Sequence, residues 1–530
     1  MDYQIDYRLT ASVASGSSVT VPYARGTGAA NFKRVTFLSY SGESSLSTSA
    51  ATAKLDFAGI TVTNSTGATW NAGDILRLVL HGSDAVRNKS RILTRSLTGR
   101  SNAVAASGNA FGTGGALAVG LCQHQRVALA AHFDSVRIAI PNMDTASVAS
   151  VLGMVGVSNA LGAWSTSAPT LNNTGAATSA SPTPSETVSS AGSGLWRNLT
   201  WSGASSVTLP AAVDATNLVP SYSWSDWAPV YSVARTDGGK FPLLDIRIFI
   251  PVAAGSMTLA YTGASNNAWA MWGRDDLFTN GRTYRVWNQD VDGVTTPTAF
   301  TSTTTQPMIV PLLIQYRSRF EGESVCVVGD SIYDATTGPT YTNNGWAWQG
   351  VSGISQTYGP VEYCSLSAGG ATTLQSALRA ENQLSQVKPT IVVFPAASVN
   401  NFGASLGSRV QQEGQGAVGK LLALASGVSV RETQPDVVIG SMLPVTNAAK
   451  AWGSTDAQRI TLNNEMRNRS VDSGFTFLDF GPTIDGTTTS GQIEPKSTYV
   501  GADGIHPNDT GYTAMAVPFK TALESIILSR

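Results

Sequence analysis

From about residue 321 onward, short apolar runs alternate with stretches whose apolar residues recur at three- and four-residue spacing. That alternation restricts the segment to a parallel sheet covered by helices on both faces. The runs predict strands over Ser324–Val328, Val361–Leu366, Ile391–Ala396, Val437–Met442 and Phe475–Phe480. The periodic stretches predict helices over Leu374–Gln386, Gln411–Ala425, Asp456–Arg469 and Gly511–Leu528. The last of these carries Ala516, Phe519, Leu523 and Ile527 at helical spacing, with Pro518 disfavouring its first turns. Five such β/α units make a flavodoxin-like α/β domain, in which ligands sit outside the carboxyl ends of the strands.

The first 320 residues read differently. With 530 residues the chain is too long for one ordinary core. Residues 1–95 show short alternating segments such as Lys33–Leu38 and Ile75–Leu80, divided by Gly, Ser and Asn clusters, which predict a small β-rich domain suited to attachment or oligomerisation. Residues 96–320 contain Ser135–Pro141 and Leu243–Pro251, which fit a β-sandwich or jelly roll as an accessory domain. Within it, residues 164–194 are rich in Ser, Thr, Ala and Pro and read as an exposed loop or a linker. Trp224, Trp227, Trp269 and Trp272 have rings able to stack on sugars, but aromatics in strands are more often core, so they stay outside the candidate site. Residues 321–530 form the third domain.

Only 13% of residues are charged and the formal net charge is -1, with no basic run, which argues against a nucleic-acid partner. No segment reaches the roughly 20 uninterrupted apolar residues of a bilayer crossing, so no membrane partner is expected. Met1–Asp6 lacks the basic-then-apolar pattern of a secretory signal. Cys122, Cys326 and Cys364 cannot all pair, and are expected as buried thiols. Metal-ligand spacing of His and Cys is absent, and no cofactor is expected.

Chemistry concentrates after the predicted strands. Gly329-Asp330-Ser331 follows the first strand, and the glycine permits a sharp turn that lifts the serine hydroxyl out of the sheet edge. Serine is a poor nucleophile unless a neutral imidazole, held by a carboxylate, takes its proton. Asp503-Gly504-Ile505-His506-Pro507, just before the last helix, supplies both groups on the same edge, and His506 is the only one of four histidines in this domain. Acyl transfer also needs donors for an oxyanion. Ser367-Ala368-Gly369-Gly370-Ala371-Thr372 after the second strand offers glycine backbone, and Ala397-Ser398-Val399-Asn400-Asn401 after the third offers a side-chain amide.

In this order of Ser, Gly, Asn and His, residues 321–530 resemble the SGNH (GDSL-like) hydrolase family. The resemblance implies Ser331 as nucleophile, His506 as base, Asp503 as acid, and an oxyanion hole formed by Gly370, Asn400 and the Ser331 amide. Where the family reads Gly-x-Asn-Asp, this chain has Ser398-Val399-Asn400-Asn401, which leaves Asn400 and Asn401 as alternatives, with Asn400 preferred by its spacing from the strand. Gly370 is preferred over Gly369 because it directly precedes the segment where the next helix should begin. Phe57–Asn64 with Gly67–Trp70 resembles β-modules of phage structural proteins.

Together these features lead to the expectation of a virion-associated or extracellular serine esterase that removes short acyl groups, O-acetyl in particular, from a bacterial surface polysaccharide. The alternatives are a lipase or short-chain esterase acting on small molecules, and a non-catalytic carbohydrate-binding adhesin or virion structural protein. A homotrimer built through the N-terminal part is compatible with any of these. Trp346 and Trp348 read either as lining for a sugar site or as core.

Overall fold

The computed structural model describes residues 2–21, 32–40, 51–56, 59–65, 67–82, 90–96, 102–106, 119–158, 196–234, 241–251, 257–261, 285–289, 292–295, 308–310, 312–333, 345–401, 416, 418–419, 435–473 and 475–528. The predicted helix over Gln411–Ala425, the Ser/Thr/Pro-rich stretch, Trp269 and Trp272 fall mainly or wholly outside them. The chain divides into two compact units, one of residues 1–88, 431–433 and 523–530 and the other of residues 89–430 and 434–522.

In the smaller unit, Ile75–Gly82 lies between Asp2–Arg8 and Phe32–Tyr40, and Gly59–Asn64 lies between Ser18–Val21 and Ala51–Asp56, every pairing antiparallel. Alternation along Gly59–Asn64 turns Ile60 and Val62 inward and leaves Thr61 and Thr63 half-exposed. The two valine and isoleucine side chains join Leu9, Val13, Val21, Trp70, Leu76 and Leu78 in one core.

The larger unit is organised by a single 15-residue strand. Its strands include β1 (Ser90–Ser96), β2 (Gly120–Ala128), β3 (Phe133–Asn142), β4 (Val148–Ser158), β5 (Ser221–Trp224), β6 (Leu243–Pro251) and the long β7 (Leu313–Val327). The first half of β7 pairs antiparallel with β1 and β3, and its second half pairs parallel with β8 (Val361–Ser365) and β9 (Ile391–Pro395). Burial follows this change. Up to Phe320 buried and exposed residues are interspersed, whereas Gly322 to Val327 are buried throughout, as a strand covered on both faces must be. At the transition, a Cβ on Gly322 would come within 2.5 Å of the Pro360 carbonyl oxygen, so only glycine fits. The 320/321 division drawn from the sequence falls inside β7, and β1, drawn there with the first domain, pairs with it.

On one side of β7, strands β4, β6 and β2 form a second antiparallel sheet. Its inward residues, among them Val127, Val155, Ile246 and Ile248, share an apolar core with Val136, Ile138, Ile140, Ile314 and Tyr316. On the other side, β8, β7, β9, β10 (Asp436–Gly440) and β11 (Thr476–Leu478) form the expected five-stranded parallel sheet. Helices α1 (Trp346–Tyr358), α2 (Thr373–Val387), α3 (Asp456–Ser473) and α4 (Asp509–Leu528) accompany it. Helix α4 runs through Pro518 and starts two residues earlier than its periodicity predicts. Helix α1 was not predicted. It buries Trp346 against Tyr333, Phe480 and Phe519, and Trp348 against Tyr363, so both tryptophans are core and the sugar-lining alternative for them is corrected. All three cysteines are buried and unpaired as thiols, with burial pushing Cys122 up to about 12.

Candidate active site

Beyond the C-terminal end of β7 the chain turns through Val328-Gly329-Asp330-Ser331. A Cβ on Gly329 would lie 2.6 Å from the Tyr333 side chain, so the turn closes only with glycine. Ser331 is 6% exposed and its Oγ lies 2.7 Å from His506 Nε2. His506 Nδ1 in turn lies 2.5 Å from Asp503 Oδ2. An ionised carboxylate only accepts, so Nδ1 carries the imidazole proton and Nε2 is left to accept from the serine hydroxyl. Burial works to raise Asp503, but it is outweighed by hydrogen bonds from the His506 ring, from the Ile505 and His506 amides, and by the His506 charge, so its carboxyl sits below its ordinary value.

The loop holding this pair is pinned at its ends. The Gly501 amide donates to the His506 carbonyl at 2.7 Å, and the Thr446 amide donates to the Gly504 carbonyl at 2.8 Å. Asn508 accepts from the Gly511 amide at the start of α4. Gly504 has φ +69°, and a Cβ there would meet Thr446 Oγ1 at 2.1 Å. Gly504→Ala therefore combines backbone strain with a clash. It is expected to lower ester hydrolysis at least tenfold by displacing His506, an effect that steady-state kinetics on 4-nitrophenyl acetate would read.

Across from the serine, Gly370 adopts φ +79° with open space on its Cβ side, then Ala371 leads into α2. The helix opens with a capping box in which Thr372 Oγ1 accepts from the Gln375 amide and Gln375 Oε1 accepts from the Thr372 amide. Among the described residues, the backbone N–H groups of Ser331 and Gly370 have no acceptor. Asn400 Nδ2 donates one hydrogen to the Ala371 carbonyl at 3.0 Å, leaving the other. Asn401 is buried, its Oδ1 accepting from the amide and hydroxyl of Thr373 at 2.8 and 2.6 Å. The structure thus brings Ser331, Gly370, Asn400, Asp503 and His506 to one sheet edge. Asn400→Ala is expected to lower kcat by about 10²–10³-fold with little change in KM, as loss of one oxyanion donor does; the same kinetic assay checks it.

Two residues here escaped the sequence reading. Ser398 Oγ lies 2.6 Å from Asp330 Oδ2 and 2.9 Å from the Ala371 carbonyl, and it accepts from the Asn400 amide at 3.1 Å. One hydroxyl proton cannot serve both oxygens. Burial raises Asp330 despite hydrogen bonds from Ser398 and the Ile332 and Tyr333 amides and the nearby His506, and a protonated Asp330 would donate to Ser398, freeing that hydroxyl for Ala371. Lys450 Nζ donates to the Val399 carbonyl at 2.9 Å, fixing the same loop from the segment after β10. Ser398 stands at the position where sequence comparison expects glycine, which was the one available signal.

A serine whose proton can pass to a carboxylate-held imidazole, beside unpaired backbone donors, is the equipment of acyl transfer. Residues 327–514 match the GDSL-like Lipase/Acylhydrolase family. The matched segment contains Ser331, Gly370, Asn400, Asp503 and His506. Among solved structures, the chain is similar to a putative acylhydrolase from Bacteroides fragilis NCTC 9343, with 18% identity, 39% of this chain and 88% of that chain covered, and a TM-score of 0.31. It is also similar to a GDSL-like lipase from Bacteroides thetaiotaomicron VPI-5482 (19% identity, 38% and 89% covered, TM-score 0.30). A carbohydrate acetylesterase from Sinorhizobium meliloti shows 15% identity, 38% and 99% coverage and a TM-score of 0.31. No curated protein matches the sequence.

Proposed function

We propose that the GDSL-like domain is a serine esterase that removes short acyl groups, O-acetyl above all, from a surface polysaccharide. The observation that carries the reading is the continuous hydrogen-bond chain from Ser331 Oγ through His506 to Asp503. Ser331 Oγ attacks the ester carbonyl while His506 Nε2 takes its proton. The oxyanion forms toward the Ser331 and Gly370 amides and the second hydrogen of Asn400 Nδ2. His506 then protonates the departing alcohol, and water, deprotonated by the same imidazole, hydrolyses the acyl-enzyme.

An exposed Gly370 and a half-exposed His506 support a polymeric substrate, because an ester carried on a long chain can reach this edge without entering a channel. The test is hydrolysis of 4-nitrophenyl esters from acetate to octanoate by the intact protein and by Ser331→Ala. Activity confined to short acyl groups and lost in the variant supports the reading; preference for octanoate would replace it with a lipase, and activity independent of Ser331 would end it.

A further inference from the structure

The face of the antiparallel sheet formed by β5, β3 and the first half of β7 carries a stack of alternating rings and guanidinium groups. Register places Ala139 of β3 opposite Trp224 of β5, and Ser135 and Arg137 of β3 opposite Arg317 and Gln315 of β7. Side chains two apart share a face, so Arg137, Gln315 and Arg317 project together. The Arg137 guanidinium lies 4.6 Å from the Trp224 ring centroid and 5.0 Å from that of Trp227, and the Arg317 guanidinium lies 4.6 Å from the Trp227 ring. Both tryptophans are half-exposed and Arg317 is exposed.

Stacking satisfies the rings but leaves the charge unmatched. Arg137 donates from Nε and Nη2 to the neutral Gln315 Oε1, and neither arginine has a carboxylate partner within ion-pair distance among the described residues. The acid beside Trp227, Asp226, is instead occupied by the Thr200 hydroxyl and the Ser202 and Gly203 amides. Burial, and then the charge of Arg317, hold Arg137 below its ordinary value, a repulsion that a bound anion would relieve.

We propose that Arg137, Trp224, Trp227 and Arg317 form a binding site for an acidic glycan, in which the arginines take carboxylates and the stacked indoles hold the guanidinium groups in place. Guanidinium forks match carboxylates in a bidentate way. Trp224 Nε1 donates to Gln386 near the C-terminal end of α2, while Gly370 and Ala371 precede its N-terminal end. A helix of 15 residues is roughly 22 Å long. A single sugar ester cannot reach both places; a chain of several residues can. The inference deepens the polysaccharide reading and rests on it for the role of the polymer, though binding itself needs no catalysis.

The experiment is isothermal titration of the full chain with non-acetylated polygalacturonate oligomers, alongside neutral xylan oligomers and oligo-dT. The expected result is binding to polygalacturonate that weakens with added salt, falls at least tenfold in Arg317→Glu and in Trp227→Ala, and exceeds binding to xylan. Arg317 is exposed on its strand, so its reversal keeps the fold and isolates the charge. No binding by the wild type, unchanged binding in Arg317→Glu, equal affinity for xylan, or tighter binding of oligo-dT would each overturn the site. Wild-type hydrolysis of 4-nitrophenyl acetate reports the esterase reading separately, so either conclusion can fail without the other.

Discussion

Ser331→Ala is expected to reduce 4-nitrophenyl acetate hydrolysis by about 10⁴-fold or more, and His506→Ala to do the same. The two losses should not add. Ser331 Oγ and His506 Nε2 share one proton across 2.7 Å, so removing either leaves the other without a function in attack. The double variant should therefore retain the residual rate of the single ones, a rate owed to binding and to the oxyanion donors. A double variant markedly slower than both singles would mean that the two side chains act in separate steps. Asp503 is more exposed than His506, and its Oδ1 is held by the Ile505 and His506 amides, so the loop geometry partly survives its removal. The loss on Asp503→Ala should be smaller than that on Ser331→Ala.

That a candidate site could be drawn from the chain follows from the chemistry. A serine nucleophile needs a base, the domain has one histidine, and a carboxylate three residues before it can reach the same ring; these constraints act on residue identity and survive without coordinates. The Asn400 and Asn401 alternative was different, because both side chains are capable donors and only their surroundings separate them: Asn401 is buried with its Oδ1 accepting from Thr373 at the start of α2, whereas Asn400 is half-exposed. The bond from Ser398 to Asp330 could not be read for the same reason, since the two lie 68 residues apart in sequence. Helix α1 was missed because Trp346, Trp348, Val351 and Ile354 make a buried face whose period is blurred by glycines and aromatics. Strand β7 was seen only in its second half. Its first half mixes buried and exposed positions while its second is buried throughout, so one element reads as two.

Glu362→Ala is expected to destabilise the larger unit by about 3–5 kcal/mol, because it strands a charge buried where β7 passes between its two sheets. Glu362 on β8 has no exposed surface. It accepts from Arg95 Nη1 on β1 at 3.3 Å, from the Tyr316 hydroxyl on β7 at 2.8 Å, and from the Ala130 amide at 2.9 Å. Arg95 itself lies 4.0 Å over the Trp348 ring of α1. One carboxylate thus ties the antiparallel part to the parallel sheet, and the two should lose structure together. The measurement is residual esterase activity after heating, set beside thermal unfolding followed by tryptophan fluorescence; both midpoints should fall in step. Glu362→Gln, which keeps an acceptor, should cost less than Glu362→Ala. Pairing Glu362→Leu with Arg95→Leu should recover only part of the loss, since removing both charges ends the electrostatic penalty but leaves the Tyr316 hydroxyl and the Ala130 amide without their acceptor. Full recovery would show that the ion pair alone matters; no loss in any variant would mean that the two sheets are held by the apolar core and that the buried charge contributes little to their union.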